Sequence, residues 1–327
     1  MTPSSINPAR LGVKQTPNLA FLLLFAALVS LAFTAIFIRI SLQDISTNTT
    51  LFNRLWIATV IFGAWNGVSE LCATDRESAA DPKGATLTVI LLLVAVAVVH
   101  VTGRFFMTWS LTQTTVAKAT LLANLPPVFT MIGAWLFFKQ QFDRRFIAGM
   151  AIALAGALVL SLSDLSLGHS PTGAAPILGD GAALLSSVFY AASCLMIEKL
   201  RTRLGAQNIL FWRCLIGAGV MLPIVLATDS PILPTSWSSW GAVLCLAAVC
   251  EALGHGLVVY SLKYFSSTFV NVFLLLESIL TAVFAYLIFS ESLSPLNLLT
   301  FVMVLGGVFL AKASEDSAQA LAAKQSG

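Results

Sequence analysis

Residues 103–156, GRFFMTWSLTQTTVAKATLLANLPPVFTMIGAWLFFKQQFDRRFIAGMAIALAG, align without a gap on residues 254–307, GHGLVVYSLKYFSSTFVNVFLLLESILTAVFAYLIFSESLSPLNLLTFVMVLGG, at an offset of 151. Identities include Gly103/Gly254, Ser110/Ser261, Leu111/Leu262, Thr130/Thr281, Ala134/Ala285, Phe138/Phe289 and Gly156/Gly307. Trp109/Tyr260 and Trp135/Tyr286 align as aromatic pairs. Apolar composition produces chance identities singly, but a constant register over two connections and three apolar runs indicates internal duplication. Upstream, Phe52-Asn53-Arg54 resembles Phe211-Trp212-Arg213, and Ser30, Phe33 and Ala35 match Ser186, Phe189 and Ala191 at an offset of 156.

The duplicated material is hydrophobic throughout. Of 327 residues, 57% are hydrophobic and 10% charged, and the mean hydropathy is +0.89. A soluble domain carries about a quarter charged residues. Runs of about 20 apolar residues, the length that crosses a bilayer core, occur at 19–38, 50–68, 87–109, 115–138 and 146–163, then at 179–197, 208–228, 240–260, 267–289 and 295–311. The runs are continuous instead of alternating, which excludes β-barrel strands. The expected fold is an all-α polytopic membrane protein of ten transmembrane helices, five per repeat. An odd number of helices per repeat inverts the second relative to the first. The expected organisation is an N-terminal tail (1–18), first repeat (19–163), second repeat (179–311) and a polar, disordered tail (312–327). The first run does not read as a cleaved signal peptide, because no small-residue cleavage site follows Ile38-Arg39.

Charge distribution gives an orientation. With the N-terminus inside, 13 of the 18 Lys and Arg residues fall on the inner side, Arg39 falls outside and four fall within runs. The positive-inside rule then places both termini in the cytoplasm, the expected location being the plasma membrane. The net charge of +3 reflects this topology and does not indicate a nucleic-acid partner. The cysteines (72, 194, 214, 245 and 250) form neither a CxxC motif nor a disulfide framework. No metal site or cofactor is expected.

Beyond the first two residues of each run, six charged side chains lie within runs: Arg54, Arg104, Lys118, Arg213, Glu251 and Glu277. Facing lipid they would cost on the order of 15–20 kcal/mol together, so each must face a wet cavity, pair, or snorkel. Arg54 and Lys118 lie near run ends, where snorkelling competes with a pathway role. Glu251 and Glu277 lie near run centres and are candidates for a solute or proton pathway, the alternative being a neutral structural acid. His100 and Arg104 share a helix face, as do their repeat equivalents Glu251 and His255. Pro126 and Pro127 interrupt a run and read as a hinge or a static kink, with Asn124 beside them as a possible ligand. Gly149, Gly156, Gly306 and Gly307 offer small surfaces for packing within the bundle or for a homodimer.

Leu125-Pro126-Pro127-Val128-Phe129 followed by Gly133-Ala134-Trp135-Leu136-Phe137-Phe138, and Leu276-Glu277-Ser278 followed by Ala285-Tyr286-Leu287-Ile288-Phe289-Ser290-Glu291, resemble the paired signature helices of the drug/metabolite transporter superfamily, in its ten-helix EamA-type branch. Ser278 departs from the proline usual after the glutamate, and Lys139-Gln140 from the usual Gly-Glu. The resemblance implies a central cavity lined by helices one to four and six to nine, with five and ten peripheral, and export of a small solute. The excess of cations over acids within the runs leans towards an amino acid or organic anion. No GxxxxGK[ST] loop is present, so a gradient is the expected driving force, with Glu277 or Glu251 carrying a coupled proton. The competing readings are a receptor or scaffold, and a membrane-embedded enzyme. HExxH and GxSxG are absent and no catalytic residue is expected.

Overall fold

The computed structural model describes residues 17–72, 87–113, 122–163, 176–228, 231–289 and 295–326. Among these the chain is all-helical: α1 (Pro17–Ala32), α2 (Thr34–Ser41), α3 (Thr47–Cys72), α4 (Leu87–Gln113), α5 (Pro126–Phe138), α6 (Arg144–Ser163), α7 (Pro176–Arg201), α8 (Ala206–Ala227), α9 (Trp237–Cys245), a π-helical stretch (Leu246–His255), α10 (Gly256–Ser261), α11 (Ser267–Leu274), α12 (Leu276–Phe289) and α13 (Pro295–Ser326). Among the described residues, five helices are long and apolar enough to cross a membrane: Leu19–Ile38, Leu87–Met107, Ile177–Arg201, Ala206–Ala227 and Trp237–Ser261. Shorter apolar helices cover Pro126–Phe138, Ser267–Thr281 and Leu298–Ser314. Leu22, Leu91, Trp135, Phe137, Ile177, Val302 and Phe309 are exposed on the outside of the bundle, a surface that suits lipid better than water.

Several expected runs prove to be interrupted. The run at 19–38 breaks at Phe33 between α1 and α2, and the run at 267–289 breaks at Leu275 between α11 and α12. In the first repeat Pro126 and Pro127 do not kink a helix interior. They open α5, at positions where the missing N–H groups have no intrahelical partner to lose. Breaks inside an apolar bundle need partners for the freed carbonyls. Ser187 Oγ donates to Leu122 O, Thr281 Oγ1 to Ala32 O (3.3 Å) and Cys250 Sγ to Ser30 O (3.3 Å). Thr130, the repeat equivalent of Thr281, donates to Pro126 O and Pro127 O at 2.9 and 3.0 Å. At the far end of α5, Lys139 adopts φ 53°, a left-handed conformation that favours the glycine usual at this position in the resembling family.

The repeats interlock. A methyl group on Gly103 of α4 would stand 3.0 Å from Phe189 Cβ and 3.4 Å from Ser186 O in α7. On Gly254, its repeat equivalent, a methyl would stand 3.0 Å from Leu31 Cδ2 and 3.4 Å from Ser30 Cβ in α1. Because Ser30 and Ser186 are themselves equivalent, the third helix of each repeat packs on the first helix of the other, as a twofold relation requires. The small residues of α6 and α13 are consumed within the chain: a methyl on Gly149 would lie 2.6 Å from Gly307 O, and one on Gly156 2.8 Å from Val304 Cγ2. Packing inside the bundle therefore accounts for Gly149, Gly156 and Gly307 without a dimer. The tail expected to be disordered from Lys312 instead continues α13 to Ser326. Its start is tied down by Ser314 Oγ on Asp143 (3.1 Å) and by Lys312 Nζ over the Phe21 ring (3.9 Å).

At one end of the bundle the turn after α2 joins the loop before α9. Asp44 accepts from Thr235 N (2.8 Å), Ser236 N (2.9 Å) and the Thr235 hydroxyl, and Asn53 Nδ2 donates to Ile232 O (2.7 Å). These bonds, the Thr235 hydroxyl foremost, hold the Asp44 carboxyl well below the usual carboxylate range.

Candidate functional site

A cavity of about 340 Å³ sits where the helix breaks converge. Its polar wall comprises Thr34, His100, Arg104, Asn124, Ser186, Ser187, Tyr190, His255, Asn271 and Glu277. Pro126 and Pro127 also line it. The volume falls within the range of small-molecule sites. Most of the lining falls into repeat-related pairs: Leu31/Ser187 and Thr34/Tyr190 at an offset of 156, and Arg104/His255, Ala123/Leu274, Asn124/Leu275 and Pro126/Glu277 at 151. Both repeats thus contribute equivalent positions to the cavity wall, beside broken helices, the setting in which the sites of repeat-built transporters lie.

Seven of the sequence candidates meet here: Glu277, His255, His100, Arg104, Asn124, Pro126 and Pro127. Glu277 is not at the middle of a helix as expected, since the break after Leu274 places it in the first turn of α12. A carboxylate there interacts favourably with the helix dipole while facing the cavity. Arg104 Nη2 lies 3.4 Å from His255 Nε2. A guanidinium only donates, so in a hydrogen bond across this contact the His255 nitrogen would be the acceptor. The His100 and His255 rings stand edge to face with centroids 6.2 Å apart.

Three candidates form a separate buried cluster. Glu251 does not line the large cavity: it is 1% exposed and accepts from Arg54 Nε (2.6 Å) and Arg213 Nη2. Cys214 Sγ lies 3.9 Å from its Oε1. Arg54 does not snorkel. It is the eighth residue of α3 and only 2% exposed, and its guanidinium turns inward onto the carboxylate. One turn of rise is 5.4 Å, so α3 carries Arg54 about 10 Å in from its start before the side chain begins. Arg213 reaches Glu251 from α8, so one carboxylate serves the equivalent arginines of both repeats. At the repeat position of Glu251 stands His100. Glu251 and His255 both lie in the π-helical stretch, whereas their equivalents His100 and Arg104 lie in α-helical α4. π-Helical turns recur at functional sites. Lys118 lies outside the described residues.

Tyr190, Asn271, Thr34, Ser186 and Ser187 were not singled out in the sequence. The signal for Tyr190 was available, because the 156 offset that pairs Ser30 with Ser186 also pairs Thr34 with Tyr190. Asn271 offered none: its side chain bonds Ser267 O at 2.9 Å within its own helix, and its place in the wall depends on the break that follows it.

Comparison with known proteins gives the same organisation. An uncharacterized transporter of Archaeoglobus fulgidus is 23% identical over 297 residues, covering 90% of this chain and 97% of the relative. The pseudopaline exporter CntI of Pseudomonas aeruginosa is 24% identical over 58% of this chain and 63% of its own. Mouse solute carrier family 35 member F2 is 24% identical over 60% of this chain and 53% of its own. A solved crystal structure superimposes with a TM-score of 0.74 over 90% of this chain and 98% of its own at 17% identity, which shows the shared fold. The family match falls in two stretches, residues 18–162 and 177–312, that follow the two repeats, and the chain belongs to the EamA-like transporter family.

Proposed function

We infer that this multi-pass membrane protein is a secondary active transporter that exports a small organic solute across the plasma membrane by alternating access, with Glu277 as the proton-coupling carboxylate. The observation that carries the reading is the cavity bounded by broken helices and lined by paired positions of the two repeats. Such an arrangement can open towards either side through equivalent motions of the two halves. Arg104 and Glu277 give the wall one cation and one acid, which suits an amino acid or another carboxylate-bearing solute. The exporter named among the relatives supports the outward direction. The 13-to-1 distribution of basic residues supports cytoplasmic termini, and the Asp44–Thr235 contact joins two connections that this topology assigns to the same outer side.

The test is flux in proteoliposomes. A thermal-shift screen of amino acids, nucleosides and organic acids selects the solute, and its transport is then driven by an imposed pH gradient. Glu277→Gln is expected to transport at a rate independent of the proton gradient while keeping its fold. Full gradient-driven flux by Glu277→Gln across pH would remove Glu277 from the coupling step, and absence of flux for every solute that binds would remove transport.

A further inference from the structure

Behind the large cavity lies a second one of about 10 Å³, which shares His100, Tyr190 and His255 with it. It leads away from the first along two helix faces. Tyr190, Cys194 and Ile197 recur at intervals of four and three on α7, and His255, Val258 and Leu262 at intervals of three and four from the π-helical stretch through α10. Four residues beyond Ile197 the α7 face ends at Arg201, the last residue of the helix. Arg201 is 9% exposed, and its guanidinium donates to Val259 O of α10 (2.9 Å) and to Leu204 O before α8 (2.7 Å). Ile197, Val259 and Leu262, each at most 5% exposed, line the second cavity. Its volume is that of about one water molecule, too little for an organic solute.

Two observations distinguish this space from a packing gap. The Ser193 hydroxyl and the Arg213 Nε–H belong to residues of its wall and have no hydrogen-bond partner among the described residues. A packed interior pairs such donors, because a buried donor left unpaired costs free energy. The wall also repeats part of the large cavity's: Tyr190, His255 and Val258 are the equivalents of Thr34, Arg104 and Met107, which line the large cavity. Met107 is half-buried, whereas Val258 is 4% exposed. Equivalent segments thus stand open in one repeat and shut in the other, the asymmetry that one conformer of an inverted repeat shows when its two halves alternate.

We propose, resting on the transport reading above, that the second cavity is the closed half of the solute path and that Arg201 latches it by strapping α7 to α10. Release of Val259 O by Arg201 lets the two faces part, and the Ser193 and Arg213 donors then meet water and solute. Ile197, Val259 and Leu262 form the apolar constriction that the solute passes. The positive-inside rule assigns this end of the bundle to the cytoplasm, the side from which an exporter loads.

Native Cys194 lines the second cavity and reports its opening. The full chain in proteoliposomes is treated with N-ethylmaleimide and the labelling rate of each cysteine is read by peptide mass spectrometry, with flux of the solute selected by thermal shift measured in parallel. Arg201→Met, which removes the hydrogen bonds of a charged donor, should label Cys194 about tenfold faster than the wild type. Arg201→Lys, which keeps a charged donor, should fall between the two. Cys214 and Cys250, both 0% exposed and outside both cavity walls, should stay unlabelled in all three, which separates opening of the path from general loosening. A second arm keeps the arginine and decides the matter if Arg201→Met does not fold. In Leu262→Cys, a bifunctional methanethiosulfonate reagent should join the introduced thiol to Cys194 across the cavity and stop flux, which reduction should restore. Equal Cys194 rates in wild type and Arg201→Met, labelling of Cys214 and Cys250 in step with Cys194, or full flux through the cross-linked protein would each overturn the path beyond the cavity while leaving transport intact. Absence of wild-type flux for every solute that binds would instead remove the transport reading, and the latch with it.

Discussion

Removing the carboxylate of Glu251 tests how the bundle tolerates its buried charges. Glu251 accepts from Arg54 and Arg213, and all three side chains are at most 3% exposed. In Glu251→Gln the amide oxygen can accept from one guanidinium, while the amide NH2 confronts the other with a donor. At least one arginine is then stranded, and breaking a buried pair costs about 3–5 kcal/mol. At about 2–4 °C per kcal/mol for a chain of roughly this size, Tm should fall on the order of 10 °C. The loss should be partly reversed by taking away the stranded charge. Glu251→Gln/Arg213→Met should be less destabilised than the sum of the two single variants, by a coupling of about 1–3 kcal/mol. Unfolding of such proteins is often irreversible, so all variants are compared at one scan rate in one detergent, by tryptophan fluorescence and by the monodisperse fraction after heating. A Glu251→Gln protein within about 2 °C of the wild type, or additive single and double variants, would refute a shared buried ion cluster. The same variants separate Glu251 from Glu277: loss of stability is expected of the first and loss of gradient dependence of the second.

Two further outcomes follow from packing and from the outer turn. Gly307→Ala should destabilise, because its methyl would collide with the Ala153 and Gly149 backbones, whereas Gly306→Ala, with nothing within 4 Å, should be neutral or gain up to about 1 kcal/mol of helix propensity; equal Tm for the two variants would contradict the α6–α13 contact. Asp44 is held below its unfolded value of about 3.9, so its contribution is complete above that value and disappears as pH falls through the lower folded one. The Tm difference between wild type and Asp44→Asn should be largest near neutrality and shrink below about pH 4, and a difference constant from pH 7 to 3 would show that the Thr235 and Ser236 bonds do not depend on its charge.

The chain's local features were legible because they depend on neighbours in sequence. Run length and composition give helices in a membrane, and the gapless 151 register gives the duplication before any contact is known. The same register marked His100, Arg104 and His255, and all three line the cavity. What it could not give was pairing across the bundle. Arg54 and Glu251 are 197 residues apart, and depth along a run does not say which way a long side chain turns. Proline announced the break before α5, but nothing in the composition announced those at Phe33 and Leu275. These are stabilised by side chains such as Thr281, whose hydroxyl reaches Ala32 O from another helix. The tail beyond Lys312 is polar enough to read as disordered, yet it continues a helix whose preceding turns pack on α6. Sequence thus determined which residues are costly in a bilayer, since that cost belongs to each side chain. Tertiary structure decided which of them share a carboxylate and which face the cavity, because compensation for a buried charge comes only from groups that folding brings within hydrogen-bonding distance.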